Sequence, residues 1–246
     1  MSEALFISDL HLSGERPATV QLFLQFLARR APRTNTLFIL GDLFDLWIGD
    51  DLQMQTITEI KAALRALSRS GTKIRLMHGN RDFLIGERFC AETGAELLQD
   101  PTLINLQGIP TLLMHGDLLC TDDQSYQAFR RQVRDPEFIR EFLSLPIAER
   151  IATAKEYRAK SGEANSLKAD EIMDVNQQAV ESAMLRHGAS RLIHGHTHRP
   201  DLHRFNLNNQ QALRYVLPEW RPEHAGFLSV NPDGWKVGIF TPAPNA

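Results

Sequence analysis

Five short apolar runs punctuate this 246-residue chain, and polar chemistry follows each of them at once. They occupy residues 4–7, 36–40, 73–77, 111–114 and 191–193. They lead into Ser8-Asp9-Leu10-His11, Gly41-Asp42-Leu43-Phe44-Asp45, His78-Gly79-Asn80-Arg81-Asp82, His115-Gly116-Asp117 and His194-Gly195-His196-Thr197-His198. Runs of this length bounded by turn residues predict buried strands. Between the early runs, Leu22, Phe23, Phe26 and Leu27 recur at helical spacing after Pro17. Ile57, Ile60, Leu64 and Leu67 do so before Gly71 ends the pattern. Alternation of strand and helix predicts a layered α/β architecture with polar sites at the carboxyl ends of the strands.

The character of the chain changes toward its end. Residues 227–230, the turn Asn231-Pro232-Asp233-Gly234 and residues 235–240 predict a β-hairpin, with a further strand over 213–217. The expected core is therefore α/β with a later half rich in antiparallel strands: two sheets face to face, helices outside. Residues 118–190 read almost entirely as helix, over 124–145, 146–160 and 167–186, the last closed by Gly188. So long a stretch is not a structureless loop. It is expected to be a helical insertion, or cap, at about 122–188 within a single domain spanning 1–246.

Composition narrows the classes without choosing one. Hydrophobic residues make up 43% and charged residues 23%, ordinary globular usage. A formal net charge of -3 and a pI near 6.3 give no general attraction to nucleic acid, and no basic stripe with interleaved aromatics is present. Cys90 and Cys120 form no CxxC pair, so a disulfide framework and a zinc knuckle are not indicated, and a reducing cytoplasm is the expected location. The N-terminus lacks a secretory pattern. No run reaches the about 18 to 20 apolar residues of a membrane span, so any membrane role would be peripheral.

The strand-end residues carry metal chemistry. In extended backbone, i and i+2 point the same way, so Asp9 with His11, and His196 with His198, are expected to act as two-ligand clips. Asp42 follows Gly41 and has two oxygens with which to bridge two cations; Asn80 offers a carbonyl oxygen and His115 an imidazole nitrogen. Oxygen and nitrogen donors without thiolates suit Mn, Fe, Zn or Ni in an octahedral-leaning site. One Asp or His at a strand end is ordinarily a turn former. An ordered set of five such segments is not explained that way. Asp45, Asp82 and Asp117 are candidates to accept hydrogen bonds from ligand imidazoles, each about as well read as a turn residue, and His78 and His194 are not counted as ligands. Two cations would activate a water for in-line attack on phosphorus, with no side-chain nucleophile.

The ordered set Asp9-Leu10-His11, Gly41-Asp42-Leu43-Phe44-Asp45, Gly79-Asn80-Arg81-Asp82, His115-Gly116-Asp117 and Gly195-His196-Thr197-His198 resembles the calcineurin-like metallophosphoesterase superfamily. The resemblance implies a sandwich of two mixed sheets flanked by helices. It also implies Asp9, His11, Asp42 and His198 on one metal, and Asp42, Asn80, His115 and His196 on the other. Many members carry His where this chain has Arg81. An Arg does not protonate a leaving oxygen, so a good leaving group such as a phosphate monoester is expected, with Arg81 holding phosphate oxygens.

Taken with GDLFDLWIGDD, HGNRDFL, HGDLLCTDDQSYQAFR, EIMDVN and HGHTHRP, the chain is similar to the UDP-2,3-diacylglucosamine diphosphatases of Gram-negative lipid A synthesis. That resemblance implies a UDP-linked diacylated glucosamine as substrate, Mn2+ as the metal, and peripheral contact with the cytoplasmic face of the inner membrane. It further implies substrate contacts from Asn80, Arg81, Asp123, Ser161, Asn165, Lys168 and His196. Within the insertion, residues 130–168 hold nine Lys or Arg against six Asp or Glu, a local basic excess. Phe138, Ile139, Phe142, Leu143, Leu145, Ile147 and Ile151 add apolar surface for acyl chains or for ordinary helix packing. The alternatives are a soluble nucleotide diphosphate or phosphodiester hydrolase with the same metal site, and a scaffold without catalysis.

Overall fold

The structure is a computed structural model that describes residues 3–166 and 174–242, side chains of 158–166 excepted. In chain order its elements are β1 (Ala4–Ile7), α1 (Pro17–Arg29), β2 (Thr36–Leu40), α2 (Gln55–Arg69), β3 (Lys73–Met77), α3 (Glu87–Thr93), β4 (Ala95–Leu98), β5 (Thr102–Leu106) and β6 (Ile109–Leu113). Then come α4 (Gln124–Val133), α5 (Pro136–Ser144), α6 (Ile147–Ser166), α7 (Gln177–Arg186), β7 (Arg191–His194), β8 (Asp201–Leu207), β9 (Gln210–Val216), β10 (Ala225–Asn231) and β11 (Gly234–Phe240).

These strands form two mixed sheets, ordered β11-β10-β1-β2-β3-β4 and β5-β6-β7-β9-β8. In the first, β1 through β4 run parallel and β10 joins β1 antiparallel; in the second, β6, β7 and β9 are parallel. Strand alternation assigns each side chain to a layer. Leu5, Ile7, Leu37, Ile39, Ile74 and Leu76 point outward onto the buried faces of α1, α2 and α3. Phe6, Phe38, Leu40 and Met77 point inward against Leu113, Ile193, Leu213 and Tyr215 of the second sheet. On the far side Leu112, Leu192 and Ala212 meet Val180 and Met184 of α7. Burial on both faces is why the central strands read as unbroken apolar runs, and the result is a sandwich of two mixed sheets with flanking helices, as the resemblance implied.

Three strands, β4, β5 and β8, have no counterpart in the apolar pattern. Each lies at a sheet edge and is only partly buried. The helix expected over 124–145 is two helices. Asp135 caps α5 by accepting from Glu137 N at 2.8 Å and Phe138 N at 3.3 Å, and Pro136 opens that helix, a stop-and-restart that Pro favours at the first helical position. Of the helix expected over 167–186, residues 167–173 lie outside the described residues. The chain between β6 and β7 carries α4 to α7. Arg150 of α6 ties it to the core by donating to Ile48 O at 2.7 Å and pairing with Asp51.

Candidate metal centre

Parallel register brings the carboxyl ends of β1, β2 and β3 side by side, and those of β6 and β7 face them from the second sheet. The loops leaving these ends are laced together by backbone hydrogen bonds: Asp9 N to Gly41 O at 3.2 Å, His11 N to Asp42 O at 3.0 Å, and Gly195 N to His115 O at 2.8 Å. The seven residues expected as ligands converge here. His11 Nε2 lies 3.2 Å from His198 Nε2, which lies 3.5 Å from Asp9 Oδ1. Asn80 Oδ1 lies 3.0 Å from His115 Nε2 and 2.9 Å from His196 Nδ1. Asp42 sits between, Oδ2 3.8 Å from His11 Nδ1 and Oδ1 3.8 Å from His115 Nε2.

The backbone that presents them is not extended. Asp9, His11, Asp42, His196 and His198 all have positive φ, between 49° and 68°. The two-residue clips thus arise from left-handed turns and not from strand alternation. Non-glycine residues held there carry a backbone cost, and such strain clusters at functional sites. Gly41, itself at φ 89°, has no room for a side chain: a Cβ would stand 2.5 Å from His115 Nδ1 and 2.7 Å from Gly79 Cα.

The donor set fits divalent cations. Asp9 Oδ1 and His11 Nδ1 are buried without any hydrogen-bond partner. His115 Nδ1 donates to Leu40 O at 2.9 Å, which turns the Nε2 lone pair toward the Asn80 oxygen, acceptor to acceptor. Ligands each about 2.1 Å from one ion stand roughly 3.0–3.4 Å apart, cis-octahedral to tetrahedral, close to the spacings found. Two overlapping groups, Asp9-His11-His198 and Asp9-Asp42-His115, have donor atoms within 4.8 Å of one another.

Electrostatics agree that positive charge is lacking. Burial, joined by Asp82 and Asp9, pushes the Asp42 carboxyl up. His115 is lifted against its burial by the carboxylates of Asp42, Asp117 and Asp9. Burial drives His11 down to about 3 and His196 to about 4, keeping both neutral and able to coordinate. Bound cations would resolve the whole set at once.

The surrounding hydrogen bonds differ from expectation. Asp82 accepts from the backbone N–H groups of Leu43 (2.7 Å) and Gly79 (2.8 Å), bracing two loops. Asp45 lies 3.5 Å from Arg81 Nη1. Asp117 accepts from Tyr126 Oη and Arg130 Nε, each at 2.7 Å, linking α4 to the metal loops. So Asp82 holds backbone, Asp117 holds α4 and Asp45 faces Arg81, while Leu40 O lies 2.9 Å from His115 Nδ1 and Glu219 Oε2 lies 2.8 Å from His198 Nδ1. Ser8 Oγ donates to Asp9 Oδ2, which also accepts from His196 N at 2.9 Å. No motif pointed to Ser8 or Glu219 as partners. His78 bonds Ile85 O, and His194 bonds Gly195 O and Arg214, both away from the cluster.

A cavity of about 530 Å³ opens from this cluster. Asn80, Arg81, Asp123 and His196, four of the residues expected to contact a substrate, are among those that line it. Asp123 is also the N-cap of α4, accepting from Tyr126 N at 3.0 Å. The side chains of Ser161 and Asn165, on α6, and the whole of Lys168 lie outside the described residues.

The family model for calcineurin-like phosphoesterases matches residues 3–200. The chain is 49% identical to the UDP-2,3-diacylglucosamine hydrolase of Chromohalobacter salexigens over 98% of this chain and 94% of that one. It is 50% identical to that of Serratia proteamaculans and 51% to that of Escherichia coli O7:K1, each over 89% of this chain and 91% of the relative. With the metal-capable loops in family order and near half of all positions identical along almost the full length, the chain belongs to the calcineurin-like phosphoesterase family, among the relatives of the UDP-2,3-diacylglucosamine hydrolases.

Proposed function

We propose that this protein hydrolyses the diphosphate bond of UDP-2,3-diacylglucosamine to UMP and 2,3-diacylglucosamine 1-phosphate, a step of lipid A biosynthesis. The observation that carries this reading is the two-sided cavity. His11, Asp42, Asn80, His196 and His198 line one part of it, and the apolar side chains of Phe129, Val133, Phe138, Phe142 and Tyr157, from the helices between β6 and β7, line the other. A phosphate-reactive end joined to an apolar wall suits a substrate with an anionic diphosphate and acyl chains. On this reading those helices are a cap over a single catalytic domain.

Asp9, His11, Asp42 and His198 would hold one cation and Asp42, Asn80, His115 and His196 the other; the mixed oxygen and nitrogen donors admit Mn, Fe, Zn or Ni, and the resemblance to the diphosphatases selects Mn2+ among them. When bound, such ions supply an activated water and neutralise charge on the phosphoryl oxygens. The chain's own side chains do the rest. Ser8 turns Asp9 so that Oδ1 faces the centre. Arg81 has Nε 3.8 Å from Asp42 Oδ2 and is one-third exposed to the cavity, where its guanidinium can take phosphate oxygens. The aromatic wall excludes water from the acyl chains.

Among the described residues no helix is long and apolar enough to cross a membrane. Leu143 and Ile147, 39% and 38% exposed on the cap, support a peripheral approach to the lipid surface. The decisive measurement compares UDP-2,3-diacylglucosamine with UDP-N-acetylglucosamine in excess Mn2+. A strong preference for the acylated substrate is expected. Equal turnover of the two would overturn the lipid assignment.

A further inference from the structure

Glu219 lies outside every recognisable motif, yet the fold holds it rigidly beside the metal centre. It stands in the short segment after β9, which is clamped at both ends: Leu217 N donates to His194 O at 2.7 Å, and Trp220 N donates to Asp9 O at 3.1 Å. The Trp220 indole is fully buried, meets Phe23 and Phe26 edge-on and donates Nε1–H to Gly226 O at 3.1 Å. The backbone that secures Asp9 therefore also secures Glu219.

The Glu219 carboxylate is divided between two partners. Oε1 accepts from Arg221 Nε at 2.7 Å, and Oε2 stands 2.8 Å from His198 Nδ1. In the tautomer that places the proton on Nδ1, beside Oε2, the His198 Nε2 lone pair points toward Asp9 Oδ1 and His11 Nε2. The His198 side chain is 35% exposed, against 8% for His11 and none for His115. Packing alone does not fix its ring. The other half of the centre is built differently: His115 Nδ1 donates to the neutral Leu40 carbonyl at 2.9 Å.

We infer that Glu219 is a positioning residue that orients His198 and strengthens cation binding by the Asp9-His11-His198 half of the centre above the half containing Asn80 and His115. A carboxylate on the far nitrogen of a ligand imidazole fixes its tautomer and raises its basicity, and losing such a partner typically costs about 10–100-fold in metal affinity. The inference rests on the two-metal reading given above.

Mn2+ binding to metal-stripped protein, followed by calorimetry and by the spectrum of free Mn2+, tests it without turnover. The wild type is expected to take two ions. Glu219→Ala should weaken one of the two by about 10–100-fold and spare the other. The isosteric Glu219→Gln keeps an oxygen for His198 Nδ1–H but not its charge, and should fall between. Arg221→Ala, which leaves the carboxylate in place, should bind both ions at least as tightly as the wild type. In a His198→Ala background, Glu219→Ala should add less than about twofold, because the two residues act as one unit; a merely structural Glu219 would add its full effect. Two ions bound equally well by wild type and Glu219→Ala would overturn the role of Glu219 alone. A wild type that binds no Mn2+ would overturn the metal reading and this inference with it.

Discussion

Arg150 offers a way to loosen the helices between β6 and β7 without touching the metal-capable cluster. The side chain is 3% exposed; it donates to Ile48 O at 2.7 Å and Leu145 O at 3.0 Å, and pairs with Asp51, itself half exposed. Arg150→Met keeps the aliphatic stem and deletes the guanidinium. Each charged hydrogen bond to a carbonyl is worth about 1.5–3 kcal/mol, whereas the pair with the half-exposed Asp51 adds about 0–1 kcal/mol. Relief from burying the guanidinium offsets part of this, leaving a net loss of about 2–3 kcal/mol. For a chain of this size the Tm should fall by roughly 4–12 °C. Because Ile48, Phe142 and Ala154 line the same cavity, KM for the acylated substrate should rise about tenfold while kcat and Mn2+ content hold. Hydrogen bonding to Arg150 keeps the Asp51 carboxyl below its usual range. A group depressed in this way contributes stability above its unfolded pKa, about 3.9, and loses it as pH falls through the folded value. The cost of Arg150→Met should thus shrink slightly below about pH 4, the carbonyl contacts being independent of pH. An unchanged urea midpoint together with an unchanged KM would refute the reasoning.

Three further outcomes are expected. Chelation with EDTA should abolish hydrolysis and added Mn2+ restore it, and Asp42→Ala should lower kcat at least about 1,000-fold even in excess metal, since both ions lose a shared ligand; activity that survives both treatments contradicts a two-metal centre. Arg81→Ala should reduce kcat/KM about 10–100-fold through a lost charged contact to phosphate, and Arg81→Lys should recover only part of it, as steady-state kinetics on the acylated substrate will show. Phe138→Ala should raise KM for that substrate but leave residual turnover of UDP-N-acetylglucosamine unchanged; equal effects on both would place Phe138 in helix packing and not in the acyl wall.

How much was legible in the sequence varies with the kind of burial. The central strands stand out in the apolar pattern because both of their faces are largely buried, as with Leu5, Phe6 and Ile7 of β1, and the first two helices because one buried face recurs at helical spacing. The edge strands β4, β5 and β8 did not, since half-exposed positions admit residues such as Glu96, Asn105 and Arg204. The convergence of the metal-capable residues was readable because each directly follows a strand, and strand ends meet wherever parallel strands share a sheet. The geometry that makes them a site was not readable: Asp and His enter the left-handed region more often than most residues, but still too rarely for residue type alone to mark the turns at Asp9, His11, Asp42, His196 and His198.

The amino-acid sequence by itself determined the layered α/β class, the order of the metal-capable loops, and the donor chemistry, oxygen and nitrogen without sulfur. These depend on periodicity and residue type, which are local properties of the chain. Only the tertiary structure decided which groups support those loops. Asp82 and Asp117 turned away from the imidazoles toward backbone and α4, while Glu219, 21 positions from His198 in the chain, came to lie 2.8 Å from it. A hydrogen bond between side chains depends on distance in space, and spacing along the sequence carries no measure of that once the chain has crossed from one strand to another.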